Sequence, residues 1–143
     1  MYATQTDITN LYGEELLYVL ADRDRDQVLD TAAINAAIEF GAAQVRTYLS
    51  KRYSDAQLAA SQDVKRLVVE IAVFRLALQA DALTVEIRTR YEEALRQMEL
   101  MARGTIGIGV PEEMPQAASD LRDGDILVFA NERAFTRDKM RGL

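Results

Sequence analysis

The stretch that decides the fold is Leu67–Ala80, LVVEIAVFRLALQA, in which Leu67, Val68, Val69, Ile71, Ala72, Val73, Phe74, Leu76, Ala77 and Leu78 leave almost no polar side. A run of that length exceeds a strand, and a helix apolar nearly all round belongs at the centre of a protein, with other helices packed around it. Ser61 or Asp63 supplies its N-cap.

Working outward, the preceding segment repeats apolar residues at helical spacing. Ile34, Ile38, Ala42, Val45 and Leu49 form one stripe, widened by Tyr48, and Asp30 or Thr31 caps a helix running to about Arg52. Asn35, Glu39, Arg46 and Lys51 lie on its other face. Downstream, Thr84 opens a helix with Ile87, Tyr91, Leu95, Met98 and Met101 on one face, and Gly104 stands where a left-handed C-terminal cap is expected. Glu86 with Arg90, Glu92 with Arg96 and Glu99 with Arg103 are i, i+4 pairs in the favourable order, read as a solvated face. Upstream, a short helix starts at Thr6 or Asp7 and pauses at Gly13, after which Leu16, Leu17 and Leu20 form a second short stripe. The predicted fold is all-α: a compact bundle of about four helices over residues 1–103, followed by residues 104–143 as a linker and extended C-terminal arm.

The helical period stops at Gly104. GTIGIGVPEEMP, residues 104–115, has the glycine and proline density of a flexible connection. Beyond it, Asp123-Gly124 is a turn signal and Ile126–Ala130 is a short apolar run of strand formers, the pattern of a short β-hairpin. So little periodicity over 40 residues predicts an arm that orders against a partner. Phe135, Arg137 and Met140 are its candidate partner-interface anchors, an aromatic and an arginine being common anchor types.

The 143 residues hold no Cys and no His, which excludes disulfides, Cys or His zinc sites and the Ser-His and Cys-His catalytic pairs within one chain. The acid pairs Glu14-Glu15, Glu92-Glu93 and Glu112-Glu113 occupy adjacent positions, which on a helix point about 100° apart and do not converge on one substrate atom. No catalytic residue and no required cofactor is expected, and the enzyme reading is set aside. The net charge of −6 argues against specific nucleic-acid recognition, although a negative wall would let DNA slide past. The opening residues lack a signal-peptide pattern and no apolar run reaches a membrane span, so neither export nor insertion is expected.

Three constellations have residue types that could carry chemistry. DRDRDQVLD places Asp22, Asp24, Asp26 and Asp30 at the first, third, fifth and ninth positions of an EF-hand-type calcium loop, a candidate metal site. Gln27 stands where that loop needs Gly and Ala33 where it needs Glu, and Arg23 and Arg25 offset the charge, which favours a solvated acidic turn. GTIGIG is read as a hinge in preference to a phosphate loop, since it follows a helix and runs into Pro111. Glu70 and Arg75 interrupt the central apolar run; a buried charge needs a partner, and at five residues apart each is expected to meet a different helix or a neighbouring subunit.

The segments MYATQTDITNLYGEEL, DRDRDQVLD, YLSKRY, RYEEALRQMELMARG and ERAFTRDKMRGL, in this order and spacing, resemble the small helical head-and-tail morphogenesis proteins of Mu-like phages and prophages. That group is similar in helical architecture to the head-completion or connector proteins of long-tailed phages, which form a ring, usually of twelve subunits, beneath the portal. The resemblance implies a non-enzymatic virion protein of the neck, assembled in the host cytoplasm, that contacts portal and tail proteins and bridges the head and the tail. Two further readings stay open: a small helical adaptor binding a protein through the same arm, and a calcium-responsive module built on Asp22 to Asp30.

Overall fold

The computed structural model describes residues 2–22 and 26–110 of the chain. Six helices lie in this body: α1 Gln5–Tyr12, α2 Glu14–Ala21, α3 Thr31–Leu49, α4 Asp55–Ala60, α5 Gln62–Gln79 and α6 Val85–Ala102. No strand occurs among the described residues. None of these helices is long and apolar enough to cross a membrane. Asp24 and residues 111–143, with the expected hairpin and arm, lie outside the described residues.

The central helix is α5, which packs against each of the other five. Val64, Leu67, Val68, Val69, Ile71, Ala72, Val73, Leu76 and Ala77 are all buried, and each fully buried aliphatic side chain of Leu, Val or Ile size contributes about 1.5–3 kcal/mol. Phe74 stacks on Tyr91 of α6, with ring centroids 3.9 Å apart and planes 3° from parallel. Ser61 is the cap, its hydroxyl accepting from the Val64 N–H at 3.1 Å. Asp30 caps α3 through the Ala33 N–H at 3.0 Å, and Thr84 caps α6 through the Ile87 N–H at 3.2 Å. The α6 helix ends on Gly104 at φ +75°, where the Gly104 N–H bonds the Met101 carbonyl and the Thr105 N–H the Leu100 carbonyl, a Schellman closure. Glu86–Arg90 and Glu99–Arg103 close as ion pairs at 2.7 and 3.8 Å.

Four local features differ from the sequence reading. The cap of α1 is Thr4, whose N–H and hydroxyl both donate to Asp7 at 2.8 Å, so Asp7 acts from the third helical position. Gly13, at φ +85°, separates α1 from α2 as two helices. The α3 helix stops at Leu49, and a six-residue α4 follows, started by a Ser54–Gln57 capping box and pinned by the buried Leu58. Finally, part of the expected flexible connection packs on the body: Ile108 is 1% exposed, Val110 lies against the core, and the Ser61 hydroxyl donates to the Ile108 carbonyl. A buried isoleucine and a satisfied carbonyl hold this glycine-rich stretch where composition alone suggests mobility.

The contact of α3 with α5 depends on Gly41, which sequence reading passed over. A Cβ on Gly41 would stand 2.8 Å from the Val68 carbonyl oxygen, a backbone atom that cannot swing aside. Gly41→Ala is therefore expected to force the two helices apart and to lower the unfolding free energy by about 1–3 kcal/mol in denaturant titration; an unchanged midpoint would contradict this close approach.

Candidate functional site

The acidic turn closes through its own backbone. Asp22 accepts the N–H groups of Asp26 at 3.1 Å and Gln27 at 3.0 Å, Asp26 accepts that of Val28 at 2.8 Å, and Asp30 is the α3 cap. Gln27 adopts φ +66°, so the position where a calcium loop places Gly does take the left-handed turn. Among the described residues no group of three or more carboxylates is arranged to hold a metal ion, and Asp24 lies outside them. What these carboxylates do is satisfy amides and present negative charge beside the exposed Val28.

Of the two charges on α5, Glu70 is buried, at 5% exposure, and Arg75 is exposed. Glu70 accepts a hydrogen bond from the Tyr12 hydroxyl at the end of α1, so the buried carboxylate ties α1 to the central helix. Arg90 lies over the Tyr12 ring at 5.1 Å and pairs with Glu86. Burial pushes the Tyr12 phenol well above its ordinary value, and the hydrogen bond and charge of Glu70 push it further. Arg75 corrects the expectation of a second buried charge: its guanidinium covers the Phe40 ring of α3 at 4.2 Å, where water still solvates it. Each charge thus meets a different helix.

A second polar cluster, not read from the sequence, joins the chain start to α3 and α4. The Tyr2 hydroxyl donates to Asp55 at 2.6 Å, and Arg46 Nε donates to both, at 3.3 and 3.2 Å. The Tyr2 bond, with the Arg46 charge, holds the Asp55 carboxyl below its usual range. These residues are 44 and 53 positions from Tyr2, so no local spacing could have announced the cluster.

A groove of mixed character opens on the surface beside α1. It lies between α1 and α5, measures about 200 Å³, and is lined by Asp7, Asn10, Leu11, Gln62, Lys65, Arg66 and Val69. Lys65 pairs with Asp7 at 3.4 Å and Arg66 bonds Gln97 of α6. For Asp7, burial would raise the carboxyl, but the Thr4 hydroxyl and N–H together with Lys65 outweigh it and hold the group below its ordinary value. Phe135, Arg137 and Met140, the expected interface anchors, lie outside the described residues.

Two predictions come from this geometry. Tyr12→Phe removes the donor to a buried carboxylate and should cost about 1–3 kcal/mol of stability, whereas Glu70→Gln, which keeps an acceptor and removes the charge, should cost less; equal losses in denaturant titration would contradict the pairing. Because the folded-state pKa of Asp7 is depressed, its contribution is fully present above the unfolded carboxyl value and lost as pH falls through the folded one. Asp7→Asn should therefore melt below the parent at neutral pH, and the gap should close below about pH 4; a gap constant with pH would contradict it.

Comparison with known proteins places this body. The Mu-like prophage FluMu protein gp36 of Haemophilus influenzae (strain ATCC 51907 / DSM 11121 / KW20 / Rd) is 26% identical over 113 residues, which are 79% of this chain and 79% of that protein. The family model described as Bacteriophage Mu, Gp36 matches residues 2–123, a span that takes in all six helices, the acidic turn and the groove. With that much of its length matched, the chain belongs to the bacteriophage Mu Gp36 family and is a phage protein.

Proposed function

We propose that the protein is a structural component of the virion neck: a connector subunit that closes, with other copies, into a ring between portal and tail. The observation that carries this reading is the family match over residues 2–123, on a compact all-helical body followed by a further 33 residues. The polar clusters of the body support it from another side. Tyr12–Glu70, Tyr2–Asp55–Arg46 and the acidic turn each join helices or close a loop, which is the work of a scaffold. On this reading the protein turns over no substrate and needs no cofactor, the net negative charge repels DNA passing nearby, and the residues after Val110 contact portal or tail proteins.

The test is the native mass of the full chain, alone and after mixing with the portal ring encoded in the same genome. About a dozen chains are expected to transfer to the portal, as a closed cyclic assembly requires. Deleting residues 131–143, which removes Phe135, Arg137 and Met140, should abolish that transfer while the helical body melts as before. No association with portal or tail proteins would overturn the connector reading and leave the adaptor reading, in which the arm binds another protein.

A further inference from the structure

The two long helices that cover α5 treat water differently. In α6, seven of the 18 residues are charged, and Glu86 pairs with Arg90 and Glu99 with Arg103 along its surface. In α3, two of the 19 are charged, Glu39 and Arg46, and the exposed positions include Ala32, Ala36 and Ala43. A helix face with so few charges is poorly suited to bulk water and well suited to the centre of a contact.

Neither α3 charge has a partner on its own helix. The positions three and four residues from Glu39 are Asn35, Ala36, Ala42 and Ala43, and those from Arg46 are Ala42, Ala43, Leu49 and Ser50. Among the described residues Glu39 makes no ion pair. Arg46 bonds Tyr2 and Asp55 through Nε, which leaves its two terminal nitrogens to the outside, and its side chain is 57% exposed. Glu39, Ala42, Ala43 and Arg46 line one shallow hollow of about 360 Å³. Seven residues make just under two turns, so the opposite charges stand on one side of α3, about 10.5 Å apart along the axis, with the two alanines between them. A pair at that spacing cannot close on itself. It matches a second copy of the same helix laid antiparallel: with a two-fold axis passing between Ala42 and Ala43, each Glu39 comes opposite the other copy's Arg46. The alanines at the crossing let the axes approach to about 8 Å, the close end of the range for packed helices.

We propose that the free chain pairs with a second copy through this side of α3, the two helices antiparallel and each Glu39 carboxylate on the Arg46 guanidinium of the other copy. Arg46 is already held by Tyr2 and Asp55, so of the two charged side chains only Glu39 has to be ordered on pairing. The contact is isologous and closes after two copies, so it is not one that would build a ring. It goes beyond the connector reading and does not rest on it.

The chain has no cysteine, so one introduced at position 43 reports on this contact alone. The two copies of position 43 stand next to the two-fold axis and on the same side of it, within reach of a disulfide. In the full chain Ala43→Cys is expected to form a linked dimer under mild oxidation, about tenfold or more faster than Glu92→Cys on the exposed face of α6. Sedimentation of the parent at rising concentration should show monomer and dimer and nothing larger. Glu39→Arg sets like charges opposite each other twice and should weaken the dimer about tenfold or more. Glu92→Arg makes the same change of charge on α6 and should leave the dimer as it is. Positions 39, 43 and 92 are all exposed, and unchanged melting would verify the fold of each variant. Equal cross-linking from positions 43 and 92, a parent that stays monomeric or grows past a dimer, or equal self-association of the two arginine variants would overturn the pairing. Transfer to the portal is read separately: transfer without the cross-link at position 43 would refute this contact and leave the connector reading standing, and the cross-link without transfer would do the reverse.

Discussion

Everything in the body depends on surrounding α5. A helix with apolar residues on almost every side loses stability wherever water reaches it, so α1, α2, α3, α4 and α6 are all recruited to cover it. Coverage dictates the details. Gly41 is where the backbone of α3 comes close enough to bury Val68, the Phe74–Tyr91 stack fixes the rotation of α6, and Ile108 closes the remaining gap at the start of α5. The Ser61 hydroxyl joins two of these roles, since it caps α5 and also binds the strand of chain that covers its end.

Among the described residues Glu70 is the one buried charge, and its position explains why it is tolerated. A carboxylate inside an apolar shell costs several kcal/mol unless a donor meets it, and the Tyr12 hydroxyl does so from the last residue of α1. The bond gives α1 a register that apolar packing alone would leave loose, because α1 contributes just one buried residue of its own, Ile8. Arg75 shows the opposite solution on the same helix. Its long side chain carries the charge out to water and spends its stem and guanidinium on Phe40.

The long elements were legible in the sequence because they carry a period. The stripes of α3 and α6 and the unbroken run of α5 predict three helices, and Asp30, Ser61 and Thr84, each among the cap residues that the sequence offers, mark their starts. The all-α class followed from those three. The α4 helix was not legible because six residues with one apolar anchor, Leu58, have no period to detect. Gly41 and Ile108 were missed for a different reason: each is explained by a neighbour distant in the chain, Val68 in one case and Ser61 in the other, and a single sequence states no such pairing. The same holds for the surfaces. Asp22, Asp26 and Asp30 were recognisable as an acidic turn, but the groove unites α1 with α5 across 51 or more positions, from Leu11 to Gln62, and exists only once the helices are packed.

The incomplete coverage of α5 connects the fold to assembly. Every apolar side chain of α5 from Val64 to Ala77 except the stacked Phe74 is buried, yet Leu78 emerges 54% exposed at its end, and Val85 at the start of α6 is 83% exposed. A chain that buries Ile34, Ile38, Leu67, Ile71 and Leu76 completely has the means to cover one leucine more. At the far end of the same helix the long side chains are engaged instead, Lys65 with Asp7 and Arg66 with Gln97. A structural subunit that joins other proteins needs uncovered apolar surface, and on the proposed connector reading Leu78 and Val85 are where the helical body has it to offer.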